Sequence, residues 1–303
     1  MEQKLILKTE PEVSESKPES HRSFFFVLKS VIVGLMLFAV STLDFAGLSL
    51  RANVIAYPLH WLGLSIASAF IVSILTVRSA DVGARLIAEM SALYYTVVIL
   101  LTAVETAVFF SDLPMGVIVS ILVNGIFTTL TLTISSVVIH GRTRGGDPSF
   151  EKTRFSIREW VWRFIAVGIV YVLVYIFSGA LIFLPLAGEA TQAYSNLQMP
   201  DWILQFQMLR GAVWAAATVP ILHSFRGTEW EKRITIVLAY VVFVAGLVLM
   251  PNEIMAPQVV FAHFMELAVG HSLVFGLAVV WLFSSHHKSP LARIGERRVT
   301  RLS

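Results

Sequence analysis

The chain has 303 residues, 56% of them hydrophobic and 14% charged, and its mean hydropathy is +0.75. That is too apolar for an ordinary soluble domain. It has no cysteine, which excludes disulfides, thiolate metal sites and a cysteine nucleophile.

Residues 1–23, which include EPEVSESKPES, read as a disordered polar tail. The region is too long for the start of a cleavable signal, and the apolar run behind it reaches spanning length. Crossing a ~30 Å hydrocarbon core takes about twenty apolar residues. Eight such runs follow, at 24–48, 54–77, 85–110, 114–139, 158–186, 202–223, 233–250 and 257–284. The expected fold is therefore all-α, an integral membrane helical bundle of about eight transmembrane helices filling 24–284.

Eight spans return both termini to one side. With that count, 21 of the 23 Lys and Arg fall on this side, Arg51 falls on the other, and Arg210 lies within a span. Positive residues stay in the cytoplasm, so the termini are expected there, in a cell-membrane protein. The pI near 9.2 then reflects a collar facing anionic inner-leaflet lipids, and no nucleic-acid partner is implied. The basic tail at 285–303 belongs to that collar, and its His286 and His287 read as interfacial charge.

Local signals mark individual helix starts. The loop at 140–157 divides four spans from four, and its Gly145-Gly146 pair lacks a phosphate-loop pattern. Ser156-Ile-Arg-Glu159 and Thr228-Glu-Trp-Glu231 both have capping-box form. Phe155 is placed to pack on Trp160 as a hydrophobic staple. The two halves of the chain show no convincing internal repeat.

The last span carries AHFMELAVGHSLVFG, with His263, Glu266 and His271 in an otherwise apolar run. Ionisable groups are costly in hydrocarbon and tend to mark working sites. At about 100° per residue, Glu266 lies about 60° from His263, Gly270 falls between them, and His271 is about 80° to the other side. Gly270 leaves room for a ligand or a neighbouring backbone. Counting 1.5 Å per residue from the outer end puts Glu266 roughly 13 Å deep, Arg210 roughly 12 Å and Glu105 roughly 8 Å. Gln207 lies one turn above Arg210, His60 is comparable to Glu105, and Tyr175, Ser178 and Asp44 occupy the same half.

This distribution predicts a polar pocket in the outer half of the membrane, lined by His263, Glu266, Arg210, His271, Gln207, Glu105 and His60. Arg210 and Glu266, matched in depth, are expected to form an ion pair. His263 and Glu266 are also the candidate metal ligands, although no motif names a cofactor. There is no H-E-x-x-H, no G-x-S-x-G, no paired glutamates followed by arginine, no arginine ladder and no TVGYG-like filter.

LRGAVWAAATVP at 209–220 and LMPNEIMAPQVVFAHFMELAVGHSLVFG at 249–276 resemble a group of uncharacterised bacterial multi-pass membrane proteins. Those share R-G-x-x-W…P, P-N-x-x-M-x-P and H-x-x-E. The matching positions are Arg210, Gly211, Trp214, Pro220, Pro251, Asn252, Met255, Pro257, His263 and Glu266. The resemblance lies in the second half of the chain and implies no activity.

The residues fit binding or transport of a small solute or ion, with Arg210 as an anion anchor and Glu266 with His263 as a protonation-sensitive pair. A second reading is an intramembrane His/Glu enzyme using a metal or a haem. A third is a sensor or accessory subunit whose polar groups only join helices.

Overall fold

In the computed structural model the described residues are 19–43, 45, 50–109, 114–146, 150, 155–194, 200–251 and 256–284. They are overwhelmingly helical, and no named strand occurs among them. The helices are α1 (Glu19–Ser41), α2 (Leu50–Ala56), α3 (Pro58–Arg78), α4 (Gly83–Phe109), α5 (Met115–Ile139), α6 (157–187), α7 (Ile203–Ser224), α8 (229–248) and α9 (Pro257–Ser284). Both tails, together with Asp44, Asn252, Met255, His286 and His287, lie outside the described residues, apart from the backbone of 19–23 that begins α1.

Six helical stretches are long and apolar enough to cross a membrane: α1, α3, α4, α5, α9 and the stretch from Ile157 to Gln192 that contains α6. Their outward faces are greasy. Phe24, Ile165, Leu181 and Trp281 are each at least 48% exposed, a surface that lipid tolerates and water does not. The other two apolar runs also fold as helices, α7 and α8. α7 buries Gln207, Arg210, Gly211, Trp214 and Thr218 along with its apolar residues. Packed against α4, α6 and α9, it is solvated by protein more than by lipid, so its composition can be less apolar. α8 loses apolarity at its start, where Glu229, Glu231, Lys232 and Arg233 cluster.

Local signals place several ends as expected. Ser156 and Glu159 form the reciprocal capping box of α6, and Thr228 and Glu231 form that of α8. The Phe155 ring packs edge-on against Trp160 at 5.3 Å. The first two spans are trimmed. α1 ends at Ser41, and Pro58 opens α3 at its first turn, where a missing N–H costs nothing. The chain before Pro58 forms the separate short α2.

Close helix crossings are made by glycines. A Cβ on Gly168 would come within 2.8 Å of Met208, and one on Gly211 would collide with Tyr171. Each glycine thus admits the opposite helix where α6 crosses α7, a device of membrane helix packing.

One end of the bundle is tied by its loops. Ser79 and Phe225 form an isolated antiparallel bridge, with Ala80 N donating to Ser224 O and Arg226 N to Arg78 O, both at 2.6 Å. The Arg142 guanidinium donates to Ser79 O, while Gly83 N donates to Arg142 O at 2.8 Å. The C-terminal ends of α3, α5 and α7 therefore meet the N-terminal ends of α4 and α8. This is the basic end.

Candidate functional site

At the opposite end of the same helices, α4, α6, α7 and α9 bring a polar cluster together. α6 contributes Tyr171, Tyr175 and Ser178, at spacings of four and three, hence on one face. α7 contributes Gln207, Arg210 and Trp214 at spacings of three and four. α4 contributes Glu105, and α9 contributes His263, Glu266 and His271.

α9 does not remain a regular α-helix through this region. Glu266–Val274 is a π-helix, with hydrogen bonds running i to i+5, a rare form that is frequent at functional sites. In a regular α-helix Glu266 and His271 would lie about 140° apart. The wider turn brings the later residue back toward the earlier one, and both are buried. Further π segments occur at Tyr95–Leu100, Gly179–Phe183 and Val241–Ala245. The α9 segment packs against those of α6 and α8, and the α8 segment also meets that of α4. Four helices thus carry their irregular turns into one connected region.

Three polar pairs organise the cluster. The Arg210 guanidinium donates to Glu105 Oε1 and stacks over the Trp214 ring, 4.8 Å from its centroid. His263 Nδ1 donates to Glu266 Oε2 at 2.8 Å, a carboxylate being able only to accept. His271 Nδ1 and the Tyr171 hydroxyl share a 2.8 Å hydrogen bond. Tyr171 joins the pairs, because its ring also meets Trp214 at 5.4 Å and Phe275 at 4.8 Å.

Exposure falls along the cluster. The side chains of His263 and Glu105 are 32% and 26% exposed, those of Glu266 and Arg210 9% and 5%. One turn to either side of Arg210 along α7, Gln207 and Trp214 are fully buried. Several polar atoms here have no hydrogen-bond partner among the described residues. They are both amide atoms of Gln207, Arg210 Nε, Trp214 Nε1, Ser178 Oγ, His271 Nε2 and Ser272 Oγ. Buried polar atoms are nearly always partnered, by protein or by ordered water.

Six of the seven residues singled out by the sequence belong to this neighbourhood. The exception is His60, which is exposed on α3 and meets only the Tyr57 ring, edge-on at 6.1 Å, among the described contacts. The pairing expected for Arg210 is corrected: its partner is Glu105, not Glu266. Depth along a span fixes height but not direction around the axis. Glu266 is held by His263 one turn earlier, and its Oε1 lies 3.7 Å from where a Cβ on Gly179 would stand. Gly270 is used for helix packing, since a Cβ there would come within 2.5 Å of the Ser178 Cβ. Tyr171, the hub, was not foreseen. Its spacing from Tyr175 and Ser178 was the available signal.

Among the described residues no three His, Asp or Glu side chains are grouped so as to hold a metal ion. A metal at His263 and Glu266 would have to displace the hydrogen bond between them. The arrangement offers buried donors on Trp214, Arg210 and Gln207, with the Glu105 carboxylate paired to Arg210.

Compared with known proteins, the chain matches no family model, no curated protein and no solved structure.

Proposed function

We propose that this is an eight-span membrane protein, with its basic end and both termini in the cytoplasm, that binds a small polar solute or ion in the cluster around Tyr171. Three things support the topology. α7 is 22 residues long, about 33 Å at 1.5 Å per residue, enough to cross. The joined loops bring the C-terminal ends of α3, α5 and α7 to one end, as alternating crossings require. Nearly all basic residues then share a side. Resemblance to the bacterial multi-pass group, through Arg210, His263 and Glu266, is part of the same reading.

The observation that carries the binding site is the set of orphaned buried polar atoms on Gln207, Trp214, Arg210 and His271. Stranding such atoms costs about 1–3 kcal/mol each, a cost that a bound solute or water would remove. Arg210 is already occupied by Glu105, so it serves as a paired cation and not as a bare anion anchor. The half-buried His263 with Glu266 forms the outward mouth, where proton uptake can accompany binding. Transport is the natural extension of such a site, since side-chain exposure falls from His263 and Glu105 to Gln207 and Trp214.

The cysteine-free background makes a direct test available. Single cysteines at His263 and Gln207 are labelled in intact cells with a small membrane-impermeant thiol reagent. His263→Cys is expected to react quickly and Gln207→Cys slowly, both from outside. Protection of Gln207→Cys by one member of a panel of amino acids, sugars and monovalent cations identifies the solute. Absence of outside labelling at both positions overturns the reading.

A further inference from the structure

A second feature lies on the lipid-facing side, away from the polar cluster. α1 and α5 leave a groove of about 400 Å³ between them, walled by Met36, Phe127, Leu130, Ile134 and Val138. These side chains are 40–55% exposed. The one serine in the wall, Ser135, donates to its own helix at Thr131 O, so it adds no free donor.

The two ends of the groove differ. One is closed by Phe45, stacked on Phe127 with ring centroids 4.1 Å apart. The other runs toward the basic end of the bundle, to His140 and Lys29. The His140 ring lies 5.4 Å from that of Phe26, and the Lys29 charge acts on it. Lys29 stands seven residues before Met36, so the two share a face of α1 about 10 Å apart along its axis. His140 Nε2 is buried and has no hydrogen-bond partner among the described residues.

Length decides what fits. From Phe127 to Ile139 the groove runs about 18 Å along α5, close to half of a ~30 Å hydrocarbon core. That is the reach of one leaflet, with an apolar stopper at mid-membrane and a cation at the interface.

We propose that this groove is a binding site for one anionic phospholipid of the leaflet at the basic end. An acyl chain lies along Met36, Leu130, Ile134 and Val138, and the phosphate sits at the Lys29 ammonium. Burial first, and then the neighbouring lysine, push the His140 pKa down to about 4, so at neutral pH Lys29 alone supplies the charge. The site is independent of the solute reading, and only naming the leaflet cytoplasmic rests on the orientation proposed above.

Native mass spectrometry of detergent-purified protein mixed with dioleoylphosphatidylglycerol or dioleoylphosphatidylcholine reads occupancy directly. The wild type is expected to retain one phosphatidylglycerol about fivefold better than phosphatidylcholine, the factor matching one basic residue at an anionic headgroup. Lys29→Gln should bring the two lipids level, and Lys29→Arg should keep the preference. Ile134→Trp, which fills an exposed wall position without touching the core, should lower retention of both. Equal retention by the wild type, or an Ile134→Trp protein that holds phosphatidylglycerol unchanged, overturns the proposal. Neither result bears on the cysteine labelling, so the two readings fail separately.

Discussion

The ion pairs at the two ends of this bundle differ in how much water they keep. At the basic end, several charged side chains are shared among loops with at least one partner kept wet. Arg78 pairs with Glu231 at 2.7 Å with both side chains well exposed. Arg85, also exposed, reaches Glu89 at 3.1 Å. Arg142 is spent on a backbone carbonyl that joins two loops. At the other end Arg210 is almost wholly buried with a single carboxylate partner, beside several polar atoms that have none. The first arrangement closes and orients helices at little cost. The second holds expensive groups that packing alone does not explain.

The sharpest way to break this contrast is to strand the buried charge. Glu105→Leu leaves Arg210 in a dry site, and losing one partner of a buried pair costs about 3–5 kcal/mol. Arg210→Met leaves Glu105, which is 26% exposed and can recover water, so its cost should be smaller. Thermal unfolding in detergent should rank Glu105→Leu as the less stable protein, and the reverse order would remove the distinction. Combining Arg210→Glu with Glu105→Arg should recover part of the loss. Combining Arg210→Glu with Glu266→Arg should not, because those two residues are not paired.

A smaller effect probes the packing beneath the cluster. Gly270→Ala places a methyl 2.5 Å from the Ser178 Cβ, and overpacking of this kind costs about 1–3 kcal/mol. Ser178→Gly in the same chain should restore stability measured by the same melts. If Gly270→Ala is neutral, the close approach of α6 and α9 is not what holds the cluster together.

The basic end should respond least. Arg78→Ala removes an exposed pair of the kind that contributes little to stability, and the small loss should shrink further in high salt. A pH signature accompanies it. The Thr228 amide first, and then the Arg78 charge, hold the Glu231 carboxyl below its ordinary value. A carboxyl whose folded-state pKa is depressed stabilises the fold above its unfolded value, near 4.3. That stabilisation is lost as pH falls through the lower, folded value. Glu231→Gln should flatten this acid limb, lowering the melting temperature slightly at neutral pH and matching wild type in acid, where the carboxyl is protonated in both states. An unchanged acid limb would show that the cap does not couple to folding.

Sequence alone determined the class of fold and the location of much of what is polar. Long apolar runs admit few structures other than helices, because unpaired backbone groups cannot be left in hydrocarbon. Capping boxes at Ser156 and Thr228 depend only on neighbours along the chain, so they too were legible. Depth along each span follows from a constant rise per residue, which is why Glu105, Gln207, Arg210, His263 and Glu266 could be brought to the same half of the bundle. What depth cannot carry is azimuth. Which carboxylate meets Arg210, and that His60 faces away, depend on how each helix is rotated and which neighbour it touches. Only tertiary structure decided these. It also revealed Tyr171 as the hub and the π-turn in α9, since a π-turn arises from packing against neighbouring helices and leaves no mark in hydropathy. The groove between α1 and α5 belongs to the same class, because a surface shared by two helices far apart in sequence exists only once they are side by side.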